Sequence, residues 1–229
     1  MSKENYLHKI KELPETTKQF GGLVLLIVIV ILSLILVIGL KFYNFKGMNF
    51  LSTVAGIGYA FPGIIIALGT LFFVSFLQNT TNSILLIFVP DTEIVLIGSF
   101  FILIFAYVSR FNAVAFGAIN SGITRIPPNM MEASLTLGKP FGFSFIKIIF
   151  PLIKPSILTA AILAFVDIIK ELPITLLLRP FNFETFATQA YVYASQDLLE
   201  AAALPSLFLI GWATILIIFS SKYILSQKN

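Results

Sequence analysis

Long apolar runs alternate with short polar links along this chain. Residues 21–40 are almost unbroken Leu, Ile and Val, matching the roughly 20 residues that cross about 30 Å of hydrocarbon as a helix. A polar link, 41–49, leads to a second predicted span at 54–77 that carries Gly56, Gly58, Pro62, Gly63 and Gly69. Small residues let membrane helices approach closely, and proline is tolerated where neighbours satisfy the freed carbonyl. This span, with Gly58, Pro62 and Gly63 as packing positions, is therefore expected inside a bundle. Residues 84–89 are apolar but too short to cross, and Pro90, Asp91, Thr92 and Glu93 interrupt the run. A third span is predicted at 94–109, with a re-entrant or surface piece before it, and Arg110 opens a loop ending near Pro151. Further spans are predicted at 152–172 and 204–224, separated by a mixed, amphipathic stretch. The pattern predicts an all-α polytopic membrane protein with five transmembrane helices, comprising a polar tail at 1–20 and a membrane domain at 21–225.

Composition supports lipid as the solvent. The chain is 58% hydrophobic and 11% charged, against roughly 45–50% and about 25% in soluble domains. It has no cysteine, which excludes disulfides, thiolate metal sites and thiol catalysis. The single histidine, His8, lies in the polar tail and reads as a solvated side chain. About twenty mixed-charge residues precede the first apolar run, unlike a signal peptide. A net charge of +4, spread over the links, suits membrane-flanking lysines and not nucleic-acid binding. Arg110, Arg125, Lys139, Lys147 and Lys154 place the 110–154 loop in the cytoplasm, together with the C-terminus bearing Lys222 and Lys228. Five spans then send the N-terminus outside, against the pull of Lys3, Lys9, Lys11 and Lys18.

The 125–151 loop is built like a docking element. Pro127 and Pro128 favour a turn or helix start, and Asn129 can cap the segment after it. A short helix is predicted at 130–137, with Glu132 near its N-terminus where the helix dipole favours an anion. Gly138 ends it and Pro140 forbids simple continuation. A second amphipathic piece places Phe141, Phe145, Ile148 and Ile149 on one side and Lys147 on the other. Two short helices meeting at a glycine make a knob that a partner's cleft could grip; the competing reading is a helix lying on the membrane surface.

A second constellation lies at 165–193. Asp167, Lys170 and Glu171 are spaced i, i+3, i+4, so they are expected to share a helix face and neutralise one another. Ionisable groups inside a membrane are costly and mark a pathway by default. Pro173 and Pro180 bracket a stretch that cannot be one straight helix, and Arg179 lies between them. These six residues are candidates for a translocation path or gate; the alternative is that the charged pair simply snorkels to the interface.

Residues 132–151 fit E-A-A/S, three residues, Gly, nine residues, I-x-x-P, through Glu132, Ala133, Ser134, Gly138, Ile148 and Pro151. This resembles the EAA loop of ABC importer permeases, which is gripped by the ATPase. The segment KELPITLLLRPFNFETFAT, with GYAFPG at 58–63 and AYVSRF at 106–111, is similar to permeases of the ferric-iron ABC importer family, in the same order over roughly 20–225. The resemblance implies a permease subunit of the bacterial inner membrane that serves a binding-protein-dependent importer. It implies an ABC ATPase inside, a periplasmic or extracellular substrate-binding protein outside, and a path that alternates its access. It assigns the six EAA residues to ATPase coupling. Those permeases usually fuse two homologous halves, each with its own loop, whereas this chain has one and resembles the C-terminal half. A second permease half, a homodimer partner or a truncated product is thus expected.

No G-x-x-x-x-G-K-[ST] phosphate loop is present: Gly138-Lys139 runs into Pro140. The chain is expected not to be an enzyme, to need no cofactor and to bind no nucleic acid. Ferric iron would be met by oxygen donors, of which Asp167, Glu171, Glu184, Tyr191 and Tyr193 are available. Other cargoes of similar permeases stay open, namely thiamine, phosphonate, polyamine or an oxyanion. So does a non-transporting membrane scaffold.

Overall fold

The computed structural model describes residues 17–43, 46–88, 94–127, 129–181 and 183–226. The polar tail through residue 16, His8 and the link at 89–93 lie outside them. Helix α1, Thr17–Ile38, continues as a wider π turn over Gly39–Tyr43. Helix α2, Lys46–Ile57, tightens into a 3-10 turn at Gly58–Ala60, and α3 comes next at Gly63–Phe88. Then come α4, Phe100–Ile123, and the short α5, Asn129–Thr136. Helix α6 runs Phe141–Ile169 with a π turn at Phe145–Ile149. Two short helices, α7 at Pro173–Leu178 and α8 at Phe186–Ser195, precede α9 at Leu199–Ser226.

Among the described residues, five helices are long and apolar enough to cross a membrane: Val24–Tyr43, Gly63–Leu86, Phe100–Ile123, Phe141–Ile169 and Leu199–Phe219. Helix α4 is the axis of the bundle and packs against α1, α6, α2, α3 and α7. It buries a stripe of Leu103, Tyr107, Phe111, Ala115, Ile119 and Ile123, the i, i+4 recurrence of one helix face. Facing it, α1 buries Leu25, Ile29, Ser33 and Val37. The Ser33 hydroxyl donates to Asn112 Oδ1 at 2.6 Å, a polar tie of the kind that joins helices in lipid. Gly122 lets α4 meet α6 closely, since a Cβ there would overlap the Ser156 side chain. The outer faces of α3 and α9 are apolar and exposed, with Ile65, Phe72 and Phe76 on one and Leu207, Trp212 and Ile215 on the other.

Span boundaries differ from those predicted, for local reasons. The second span is not 54–77 but begins at Gly63 and takes in 84–86. Phe61 adopts an extended φ −89°, ψ 142°, as a residue before proline prefers, so Pro62 separates two helices instead of kinking one. That span is also not wholly interior: it buries only the Gly63, Ala67, Thr70 and Val74 stripe. The third span is not 94–109. The backbone N–H groups of Leu96 and Ile97 bond the Gln78 side chain, Gly98 has φ +78°, and the helix starts at Phe100. It continues through Arg110 to Ile123, so Arg110 opens no loop. The fourth span starts at Phe141 and ends at Ile169, so the second half of the predicted knob is the foot of a membrane helix. Pro151 lacks the N–H that an α-helix would direct to residue 147, and the π turn over Phe145–Ile149 lies just before it.

Candidate functional site

Two places collect the sequence-predicted residues. The first is the end of the bundle where α4 hands over to α6 through α5. Helix α5 begins at Asn129; position 128, where a cap would sit, lies outside the described residues. It ends in a Schellman turn, in which Gly138 N–H bonds the Leu135 carbonyl at 2.9 Å and Lys139 N–H the Ser134 carbonyl at 3.2 Å. Gly138 takes φ +75°, the left-handed conformation this turn reserves for glycine. Ser134 and Met131 face inward, and Ser134 Oγ lies 2.7 Å from Ser144 Oγ. Glu132, Ala133, Leu135, Leu137 and Pro151 are exposed, and Ile148 is half-buried.

The foot of α6 is braced from behind. Phe141 packs edge-on against Phe42 at 5.7 Å and lies 5.5 Å from Tyr43. Lys41 Nζ reaches the Ile126 carbonyl at 3.4 Å. The ends of α1, α4, α5 and α6 therefore form one platform, from which the outer face of α5 projects.

The second place lies deeper. Arg110 is ten residues into α4 from Phe100, roughly 15 Å along a helix rising 1.5 Å per residue, near the middle of a hydrocarbon layer of about 30 Å. Two helix breaks meet it there. One is the 58–62 break between α2 and α3, where Gly58 lies against Ser109 so tightly that a Cβ would overlap the Ser109 carbonyl. The other is the α6–α7 break, where Glu171, 6% exposed, brings Oε1 to 3.7 Å from Arg110 Nη1. The same Oε1 accepts the Ile174 N–H at 3.1 Å, satisfying a donor at the start of α7 that would otherwise be orphaned. Tyr107 OH and Thr175 Oγ1 lie 2.5 Å apart, a second tie from α4 to α7. Gly63 packs against the ion pair, and a Cβ there would overlap Arg110 and come within 2.8 Å of Glu171 Oε1.

The expected shared face of Asp167, Lys170 and Glu171 does not form. Helix α6 stops at Ile169, so Lys170 turns back to Asp167 at 2.7 Å while Glu171 turns inward to Arg110. Arg179, extended before Pro180, pairs with Glu184 and donates to the Phe183 carbonyl at 3.3 Å. Pro173 opens α7, and Pro180 lies just past its end. The three carboxylates considered as oxygen donors for iron are thus each committed to a different cation. Among the described residues, no group of three His, Cys, Asp or Glu is placed to hold a metal.

Arg110, Tyr107 and Thr175 were absent from the predicted site. The readable signal was the apolar stripe continuing past Arg110 at Phe111, Ala115, Ile119 and Ile123. It makes the arginine an intramembrane charge that needs an acidic partner.

No protein-family model matches the chain. An Fe(3+)-transport system permease protein, FbpB 2 of Haemophilus influenzae, is 24% identical over 165 residues, covering 72% of this chain and 30% of that protein. A ferric transport system permease protein, FbpB of Actinobacillus pleuropneumoniae, is 29% identical over 115 residues, covering 50% of this chain and 16% of that protein. The chain thus spans less than a third of the length of these relatives. A chain in the crystal structure of a bacterial ABC transporter involved in import of the acidic polysaccharide alginate superposes with a TM-score of 0.63 at 16% identity, over 97% of this chain and 83% of that one. The chain has the permease fold of ABC importers, resembles ferric permeases in sequence, and is a multi-pass protein of the bacterial inner membrane.

Proposed function

We propose that the chain is a permease subunit of a binding-protein-dependent ABC importer whose cargo is ferric iron. In this reading α5 docks in a cleft of a cytoplasmic ATPase, and the ATPase cycle tilts the bundle so that the path alternates its access. A periplasmic binding protein delivers the cargo, and a second permease half or second copy completes the path. The observation that carries the proposal is the build of α5: closed by a Schellman turn, stapled to the bundle by Ser134, and exposing Glu132, Ala133 and Leu135. Its position at the junction of two closely packed spans suits a part that receives force. The mid-membrane meeting of two helix breaks supports a path or gate, because irregular backbone at that depth is tolerated where it is buried in protein or lines a cavity.

The cargo rests on the names of the sequence relatives. The alginate importer carries the same fold, so architecture does not choose the cargo, and the other small cargoes remain the second reading. The test is co-expression with a candidate ATPase and binding protein, then uptake of radiolabelled ferric iron and cross-linking from single cysteines at 132, 135 and 137. ATP-dependent uptake and cross-links to the ATPase are expected. Cross-links that never reach an ATPase overturn the docking role, and uptake of a different cargo overturns the iron assignment.

A further inference from the structure

The half-helix α7 is short and bounded by a break at each end. It has six residues, with a break at 170–172 on one side and the extended Arg179-Pro180 pair on the other. Polar ties to α4 hold it: Tyr107 to Thr175, and Arg110 to Glu171. The carboxylate of Glu171 also caps α7 through Ile174, so the charge that bonds α4 and the charge that orders α7 are the same charge. Removing Arg110 leaves Glu171 buried without a counter-ion, a costly state.

The tie is incomplete as well. A well-formed charge-assisted hydrogen bond is about 2.7–2.9 Å, whereas this pair stands at 3.7 Å. Arg110 Nε and Nη1 are buried with no hydrogen-bond partner among the described residues. An ion pair that has left water without regaining full hydrogen bonding holds its elements together weakly. Room for movement exists nearby: an apolar cavity of ≈ 330 Å³ borders Tyr107, Phe183, Glu184 and Thr185, beside the segment just after α7.

We propose that Arg110 and Glu171 form a releasable latch that holds α7 closed against α4, with Arg110 as a positioning residue and Gly63 as the gap that admits its guanidinium. This rests on the permease reading for its purpose and on the geometry alone for its existence. Because the chain has no cysteine, Leu178→Cys places a unique thiol on α7 at a position only 3% exposed while α7 lies against α4.

The experiment measures maleimide labelling of Leu178→Cys in membrane vesicles that contain the assembled transporter, in parallel with uptake. Arg110→Gln and Gly63→Val should each raise the labelling rate and lower uptake by about tenfold, a typical coupling between linked sites. The double exchange Arg110→Glu with Glu171→Arg restores the ion pair but not the acceptor for the Ile174 N–H, so its labelling should fall below that of Arg110→Gln without reaching that of the unaltered protein. Arg110→Lys, which keeps the charge, separates loss of the latch from loss of folding, and should give intermediate labelling in a fully inserted protein. Unchanged labelling in Arg110→Gln, Arg110→Lys and Gly63→Val overturns the latch even where uptake is normal. Altered labelling in the variants, where the unaltered protein itself imports nothing, upholds the latch and rejects the permease reading.

Discussion

Ser134 on α5 and Ser144 in the first turn of α6 face each other with their hydroxyl oxygens 2.7 Å apart, both buried. One short hydrogen bond therefore joins the exposed knob to the foot of a membrane span. Ser144 also donates to the Pro140 carbonyl at 3.1 Å, so the loop between the two helices is closed at both ends.

Ser134→Ala is expected to cost about 1 kcal/mol of stability, the usual net worth of an intramolecular hydrogen bond. Ser144 keeps its bond to Pro140, so the loss should stay small. Thermal unfolding of the purified transporter in detergent measures it. Ser134→Val, which crowds the same buried site, should lower the midpoint further, and an equal or higher midpoint for the valine variant contradicts the packing described.

Gly138 supports a graded series. A Cβ there meets nothing within 4 Å, so any penalty comes from the φ of +75° and is about 1–2 kcal/mol for an ordinary L-residue. Asn tolerates this conformation best, so transport should fall in the order Asn, Ala, Val, Pro. Gly138→Pro should abolish uptake while membrane insertion persists. Uptake that ignores the order argues against a rigid knob.

Glu132→Lys tests docking apart from folding. The side chain is exposed in the first turn of α5, where a negative charge is worth about 0.3–1 kcal/mol against the helix dipole. The unfolding midpoint should barely move, whereas co-purification with the ATPase and ATP-driven uptake should be lost. Full uptake in this variant would count against the proposed grip.

Gly58→Ala and Gly69→Ala form a matched pair. A Cβ at Gly58 overlaps the Ser109 carbonyl, and one at Gly69 meets nothing within 4 Å. The first change should destabilise by about 1–3 kcal/mol, the range for overpacking, and the second should be neutral. Detergent-resistance midpoints for both variants decide the point, and equal midpoints would refute the close approach.

The number of spans and the first helix of the knob with its glycine turn were legible because both rest on local chemistry: apolar runs, a glycine needing positive φ, and a proline two residues beyond it. Span ends were less legible because they depend on partners remote in sequence. Gln78 sets the approach to α4 by bonding Leu96 and Ile97. Arg110 looked like the start of a loop because its counter-ion, Glu171, lies 61 positions later in the chain. Helical spacing suggested that Glu171 would join Asp167 and Lys170, but the helix ends two residues before it. Neither ending nor pairing is visible without the third dimension.

The close fit of Gly122 on Ser156 has a mechanical consequence. It pins α4 to α6 one residue before α4 ends, so neither rod can flex separately above the knob. Ile123 lies thirteen positions beyond Arg110, a stiff arm of roughly 20 Å at the helical rise. On the proposed docking of α5, a nudge there would arrive at the depth of Arg110 as a swing of both shafts about a shared pivot, and a bulkier residue at position 122 would blunt that stroke without touching either end of it.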